Sequence, residues 1–600
     1  MTAMFFDQRD HEMIQIVEQV YNTPAIPEYV RSLYYPFFHP LGIKELAESK
    51  GLRTAYAIVN LLASMERGGF DNRLQALKGL KDDIFSAIDG SMPMNTARVM
   101  LQIMKELVRA RGNYPYQLQL AHDFRMAAFG KPRVVRQFLD HYHLLEMPEE
   151  WNQITFDDHV HDANTAGRKT PTHLIMDAWI KGIRRLRVIY YHYIEPKFAA
   201  ELIEAARIME IDLRIGIEFR DEYICFVWVS RGLPDVQAFF CFLSEPHVVD
   251  FMAQGKAVVK FQEDCVLALL ERFNTSCLKQ LCKDLDIQMD EIHAGTFLEF
   301  AHPGQASALY LAEYIHAMVL EAAAKRGKKA DPEKSERIKA LGVMDIMSQY
   351  LCPSCGSDVF RYFIDQHSPS IPDRLKKGFL PLLGQIQSLH HEFRITLNLD
   401  RLEPEDVLEL LYESRGLITR IEILNLKDFN DQKIKKITGV NELQKSINEG
   451  SLLKLKQVVR EIIRRAQDSG RASGERMERF MEILHDIDGL RSMYSIHPLK
   501  SRIGSHSIGK PHRAFGMGFG VLETLGPRAG AKVAAQASTR LVLPVKARVL
   551  KQITTVHFNG RLARYLPGFY PLFLKEKQDW AFESYSLNME EKGNIVTLGQ

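Results

Sequence analysis

The stretch Phe156-Asp157-Asp158-His159-Val160-His161, followed by Asp162-Ala163-Asn164-Thr165-Ala166-Gly167-Arg168-Lys169-Thr170-Pro171, organises the rest of the chain. If its first six residues are extended, side chains alternate across the strand, and His159 and His161 project from one side. Two imidazoles at that spacing can share one metal ion or help to bridge two. The segment breaks at Gly167, and Thr170-Pro171 reads as the N-cap and first residue of a helix. That helix, Thr172 to Lys181, turns Leu174, Ile175, Ala178 and Trp179 to one face and stops at Gly182. The histidines then stand at the carboxyl end of a strand feeding a helix, where α/β folds place their chemistry. The plain alternative is two neighbouring surface histidines.

Outward from this unit the alternation continues. Leu186 to Tyr191 is a short strand ending at His192, and Glu195-Pro196 opens a helix from Phe198 to Met209. Strands over Leu213 to Phe219 and Tyr223 to Val229 follow. The rhythm implies parallel strands and right-handed crossovers, in an open α/β sheet or a barrel. Glu218, in Ile215-Gly216-Ile217-Glu218-Phe219, is either surface-facing or a carboxylate in an apolar strand. Buried and unpaired it would cost several kcal/mol, and a divalent cation would offset that cost. Gly216 would let a ligand or second backbone approach. Thr296 to Phe300 reads as another strand, ending at Ala301-His302-Pro303-Gly304 before a helix from Ala306 to Leu320.

The flanks carry less chemistry. Residues 1–150 read as helical throughout, with Met13, Ile14, Ile16, Val17 and Val20 as one amphipathic set and no catalytic constellation. The segment 321–400 reads as a mostly helical insertion holding Cys352-Pro353-Ser354-Cys355-Gly356, half of a zinc knuckle without a second pair. Six hundred residues, 46% of them hydrophobic, suffice for two to four domains. With 77 Lys and Arg against 75 Asp and Glu, overall charge selects no partner. From Lys500 to Lys575, however, thirteen basic residues face one acid, Glu523, which suits an anionic ligand such as a phosphorylated small molecule or nucleic acid. Seven scattered cysteines, no signal-peptide core and no membrane-length apolar run lead to an expectation of a cytoplasmic protein.

In order and spacing, His159-Val160-His161 with its Gly167…Pro171 turn, Tyr191-His192, Gly216-Ile217-Glu218 and Ala301-His302-Pro303-Gly304 resemble the polymerase-and-histidinol-phosphatase (PHP) family of metal-dependent phosphoesterases. The likeness resumes with a helix from Pro404 to Ser414 and a strand over Ile418 to Asn425, and ends at Ser501-Arg502-Ile503-Gly504-Ser505-His506-Ser507. It covers about 155 to 320 and 400 to 525, a little under half the chain. The resemblance implies an α/β chain built on a distorted (β/α)7 barrel, in segments over 151–320 and 401–525 flanking the 321–400 insertion; the residues themselves add a helical domain over 1–150 and a small, basic, β-rich extension over 526–600. It implies one to three divalent metal ions (Zn, Mn or Fe) on His159, His161, His192, Glu218, His302 and His506, with Arg168, Arg502 and Lys510 meeting phosphate. The implied activity is metal-dependent hydrolysis of phosphate esters. Ala166, Tyr191 and His506 stand where the family has aspartate, and its histidine after Glu218 is missing, with Cys225 nearest that place. The rival expectation is therefore a catalytically impaired module that binds nucleic acid or a nucleotide as a regulator.

Overall fold

The computed structural model describes residues 6–22, 50–165, 169–326, 341–351, 371–426, 437–507 and 516–536, short gaps within these ranges excepted, and the backbone of five strands between Leu543 and Leu598. Arg168, Lys510, Cys352 and Cys355 lie outside the described residues, as do the side chains of the basic extension beyond residue 540.

Among the described residues the N-terminal region is built of the α-helices Gln8–Asn22, Lys50–Arg67, Phe70–Gly79, Pro93–Arg109, Tyr114–Ala128 and Pro132–His141. Proline at the first turn of the last three fits their starts, because the missing N–H has no helical partner there anyway. Met13, Ile14, Val17 and Val20 are buried along one stripe, as the periodicity implies. This layer shares one continuous core with the sheet region, running from Val99 and Leu107 to Ile175 and Trp179. Polar ties reinforce it. Fully buried Arg98 donates to the Ile180 carbonyl at 2.7 Å, and Arg73 pairs with Glu201 at 2.5 Å.

The strands are β1 (Thr155–Val160), β2 (Arg185–Tyr191), β3 (Asp212–Asp221), β4 (Ile224–Ser230), β5 (Phe393–Asn398), β6 (Ile418–Asn425) and β7 (Lys500–Gly504), side by side in that order. β1, β2 and β3 are mutually parallel, and so are β5, β6 and β7. Just past β7 the chain returns to β1: His506 N donates to His159 O at 2.8 Å, and His161 N to Ser507 O at 3.0 Å. The sheet therefore curls into a barrel-like α/β fold joined at its carboxyl end. The lower half of the same β1 edge is taken by β8 (Phe519–Val521), antiparallel, which keeps β7 off it there. Beyond β8 lie β9 (Leu543–Ala547), β10 (Leu550–His557), β11 (Leu574–Ala581), β12 (Tyr585–Met589) and β13 (Ile595–Leu598). β13, β12 and β9 widen the main sheet, while β10 and β11 pair separately.

Three sequence expectations change. β4 is antiparallel to both neighbours, because two residues between Asp221 and Ile224 cannot form a crossover. Thr296 to Phe300 is not a strand but part of the helix Ala294–Ala301, where Phe297 and Ala301 are buried at the helical spacing of four. A short apolar run permits either reading, and spacing decides it. The break in the sheet begins after Ser230 rather than near residue 320: helices from Val236 to Gln387 separate β4 from β5. They carry a core of their own, including Leu269, Phe273, Leu281, Phe297, Leu311 and Ile315.

Candidate metal centre

β1 delivers both histidines of the His-x-His pair. Its ladder with β2 carries an irregularity between Asp157 and Val160, where three steps on β1 match two on β2. Such bulges re-aim side chains. His159 and His161 are each 1% exposed, and their ring centroids are 5.0 Å apart. The turn after β7 adds His506, 4.6 Å from the His159 ring and 4.7 Å from that of His161. One ligand atom from each of the three lies within 4.8 Å of the other two. His506 is held with φ 53, a left-handed conformation that costs a non-glycine residue about 1–2 kcal/mol. Gly504 makes the convergence possible, since a Cβ there would run into His159 and come within 2.6 Å of Glu422 Oε1.

Two buried carboxylates bracket His159. Its Nδ1 lies 3.0 and 3.1 Å from the two oxygens of Glu422, so the proton sits on Nδ1, between ring and carboxylate. Its Nε2 lies 3.3 Å from Glu218 Oε2 but outside hydrogen-bond geometry, which leaves both buried atoms without a hydrogen-bond partner. Burial disfavours a charged His159 ring, yet Glu422 and Glu218 outweigh it and push the imidazole up to about 10. Burial likewise opposes a charged Glu218, but His159, Arg220 and His161 hold it well below the usual carboxylate range. His161 Nδ1 donates to the Ile189 carbonyl at 2.8 Å, which fixes the lone pair on Nε2. The Tyr191 hydroxyl stands 3.4 Å from that Nε2. Asn425 approaches His506 Nδ1 at 3.1 Å, and Asn398 donates to Glu422 at 3.0 Å.

This donor set fits a divalent cation. His159 is oriented by a carboxylate and His161 by a carbonyl, the usual outer support of metal-binding imidazoles. The unsatisfied Nε2 and Oε2 face each other beside the other two rings, and a cation between them would satisfy both. A side chain at Gly216 would lie 2.9 Å from Ile189 and from the Trp228 carbonyl, so this glycine admits close core packing rather than a ligand.

The other expected residues are placed differently. His192 is buried with φ 63 next to Glu218, its backbone N–H donating to the Glu218 carbonyl at 3.1 Å. Its ring nitrogen meets Gln262 at 3.1 Å, and burial and Arg374 push the imidazole down to about 3. His302 is exposed at the end of its helix. The following turn nonetheless touches the loop after β1, with Gln305 N donating to Thr165 O at 3.0 Å. Arg502 points to Asp158, two residues before Gly504 on β7, rather than to the histidines. Lys169, next to Arg168 in the loop after β1, is tied to Asp177.

Glu422, Asn425, Tyr191 and Asn398 are the neighbours that sequence reading left without a role. Glu422 carried a usable signal. Ile421-Glu422-Ile423 repeats the pattern Ile217-Glu218-Phe219, an acid in an apolar strand, and the argument made for Glu218 applied to it unchanged.

No protein-family model and no curated protein matches this chain. It is similar in structure to a candidate metal-dependent phosphoesterase from Bifidobacterium adolescentis ATCC 15703, at 11% identity and a TM-score of 0.31, over 64% of this chain and 96% of that one. A likeness this loose carries no argument. The centre stands on its own geometry.

Proposed function

We propose that the curled sheet is a PHP-like (β/α)7 barrel with one reversed strand, and that it is a metal-dependent hydrolase of phosphate esters. The observation that carries this reading is the convergence of His159, His161 and His506 within 4.8 Å, buried and backed by Glu218. Their donors suit Zn, Mn or Fe. A bound ion would supply a water of lowered pKa and neutralise charge developing on the phosphoryl oxygens. Glu422 holds the His159 ring, and the Ile189 carbonyl holds the His161 tautomer. The Tyr191 hydroxyl is a donor for a phosphate oxygen at the rim of the cluster. His192 and His302 stand as ligands for a second ion only if their side chains turn towards the cluster.

One observation favours a second reading. Tyr191 and His506 occupy places where the resembled family has aspartate, and both rings crowd His161, at 4.8 and 4.7 Å. A centre so filled could bind a phosphorylated ligand or nucleic acid without turning it over. Elemental analysis of protein purified without chelator is expected to give at least one Zn, Mn or Fe per chain, removed by His161→Ala with Glu218→Ala. Metal near zero in the wild type overturns the centre. Metal without hydrolysis of any mono- or diester in a Mn2+-supplemented panel selects the binding module.

A further inference from the structure

Below the metal centre, the barrel interior is lined with arginine. Arg420 precedes Glu422 by two residues on β6, and Arg502 precedes Gly504 by two on β7, so both share the inward face of the groups above them. Arg185 and Arg187 occupy the β2 face of Ile189 and Tyr191, and Arg394 the β5 face of Asn398. Arg185, Arg187 and Arg502 stand around one carboxylate, Asp158, and Arg420 and Arg394 crowd the same group of arginines. Its Oδ1 lies 3.3 Å from Arg187 Nε and 3.7 Å from Arg185, and its Oδ2 lies 3.9 Å from Arg502 Nε.

Asp158 and three of the arginines, Arg187, Arg420 and Arg502, are poorly satisfied. Asp158 Oδ1 and the Nε atoms of Arg187, Arg420 and Arg502 are buried without a hydrogen-bond partner, and Arg420 is only 7% exposed. Arg420 reaches Thr419 Oγ1, while Arg394 and Arg502 each reach one backbone carbonyl. At the rim Arg214 sits 3.6 Å from Asp212, and Arg231 and Glu392 both act on Arg394, so among the described residues positive charge stays in excess around Asp158. Burial and mutual repulsion hold Arg420 and Arg502 well below the ordinary guanidinium range. Buried like charges destabilise a fold unless something compensates them.

We infer that the amino-terminal half of the barrel interior is a second ligand site, for a small molecule carrying adjacent phosphate groups. Guanidinium forks with free Nε–H groups match phosphate oxygens in pairs. The site is distinct from the metal centre, because Ile189, Val227 and Val229 form an apolar cluster of their own on the inner face between the two. At the strand starts the side chains of Arg185 and Arg214 are 18% and 41% exposed, so that end is the nearer to solvent. The inference does not depend on metal or on hydrolysis.

The test titrates full-length protein, stripped of metal and dialysed free of chelator, with inorganic pyrophosphate, read by calorimetry and thermal unfolding. Binding with a raised Tm is expected, retained in His161→Ala and weakened at least tenfold in Arg502→Gln and Arg420→Gln. Without pyrophosphate, the two glutamine variants are expected to unfold no lower than wild type, because each removes one of several buried like charges that share a single carboxylate. That separates a lost site from a lost fold. The inference is overturned by absence of binding, by binding lost in His161→Ala but kept in Arg502→Gln, or by glutamine variants that melt early with affinity unchanged. Orthophosphate binding alone, without tighter pyrophosphate binding, would remove the requirement for adjacent phosphates and overturn that part.

Discussion

Replacing Asp157 with alanine should damage both the barrel and the candidate metal centre, although Asp157 is not one of the three converging histidines. Its fully buried carboxylate accepts four hydrogen bonds: Oδ1 from His159 N (3.1 Å) and Ser505 N (3.0 Å), Oδ2 from Ser505 Oγ (2.5 Å) and Gly518 N (2.8 Å). Those donors belong to β1, the turn carrying His506, and the approach to β8. Asp157→Ala strands three backbone N–H groups and a hydroxyl, each costing about 1–3 kcal/mol when unpaired. With water replacing about half of the lost bonds, the net cost is about 3–5 kcal/mol, a large share of typical domain stability. Asp157→Asn keeps an oxygen for His159 and Ser505 but turns an NH2 towards Gly518 N, at a cost of about 1–2 kcal/mol. Urea unfolding followed by tryptophan fluorescence reads the barrel directly, since Trp151, Trp179 and Trp228 are buried in it. Stability is expected to fall in the order Asp, Asn, Ala, and metal stoichiometry with it, because the His506 turn loses its anchor to β1. An alanine variant with the wild-type midpoint and full metal content would refute the reasoning.

Three further outcomes follow from groups away from the centre. Burial pushes His173 down to about 4 from its ordinary 6.5, partly offset by Asp177, so the unfolded chain binds the proton more readily. Stability should therefore drop as pH falls from about 6.5 to about 4, by about 2 kcal/mol after allowing for partial exposure, and His173→Gln should flatten that slope in urea melts at pH 7 and pH 5. Asp177 binds both Lys105, from the N-terminal helices, and Lys169. Asp177→Ala leaves two ammonium groups facing each other and should cost about 3–5 kcal/mol, with the helical layer becoming protease-sensitive first. A Cβ at Gly255 would run into the His192 carbonyl, so Gly255→Ala should shift the helix Pro246–Arg272 and cost about 1–3 kcal/mol; an unchanged melting curve would show that the helix moves freely.

Local rules made much of the barrel readable. The helix Pro171–Ile180 with its Thr170 cap and strands β1, β2 and β3 sit within a residue or two of where periodicity and capping put them, and the helix Pro404–Glu413 and β6 where the family resemblance put them. The failures share a cause: the decisive information is non-local. Thr296 to Phe300 could serve either period until its neighbours chose one. β5, Phe393–Asn398, lies inside what reads as an insertion, because its partner β4 is more than 160 residues away in the chain. Arg502 was expected to meet phosphate, but Arg185, Arg187, Arg394 and Arg420 drew no reading, since no one strand shows that they share a face with it.

The same non-locality explains why His506 could be proposed as a ligand but not positioned. Its backbone N–H bonds to the His159 carbonyl, and the next residue's carbonyl accepts from His161 N. The bonds that join the two ends of the sheet are thus made by the residues that converge as the candidate centre. Joining the barrel and bringing the three histidines together are one structural event. An ion that binds the joined form and not the open one must stabilise that seam by mass action, and loosening the seam must weaken the ion by the same free energy. Asp157, which ties both sides of the seam without facing the ion, is where this coupling can be measured apart from ligation.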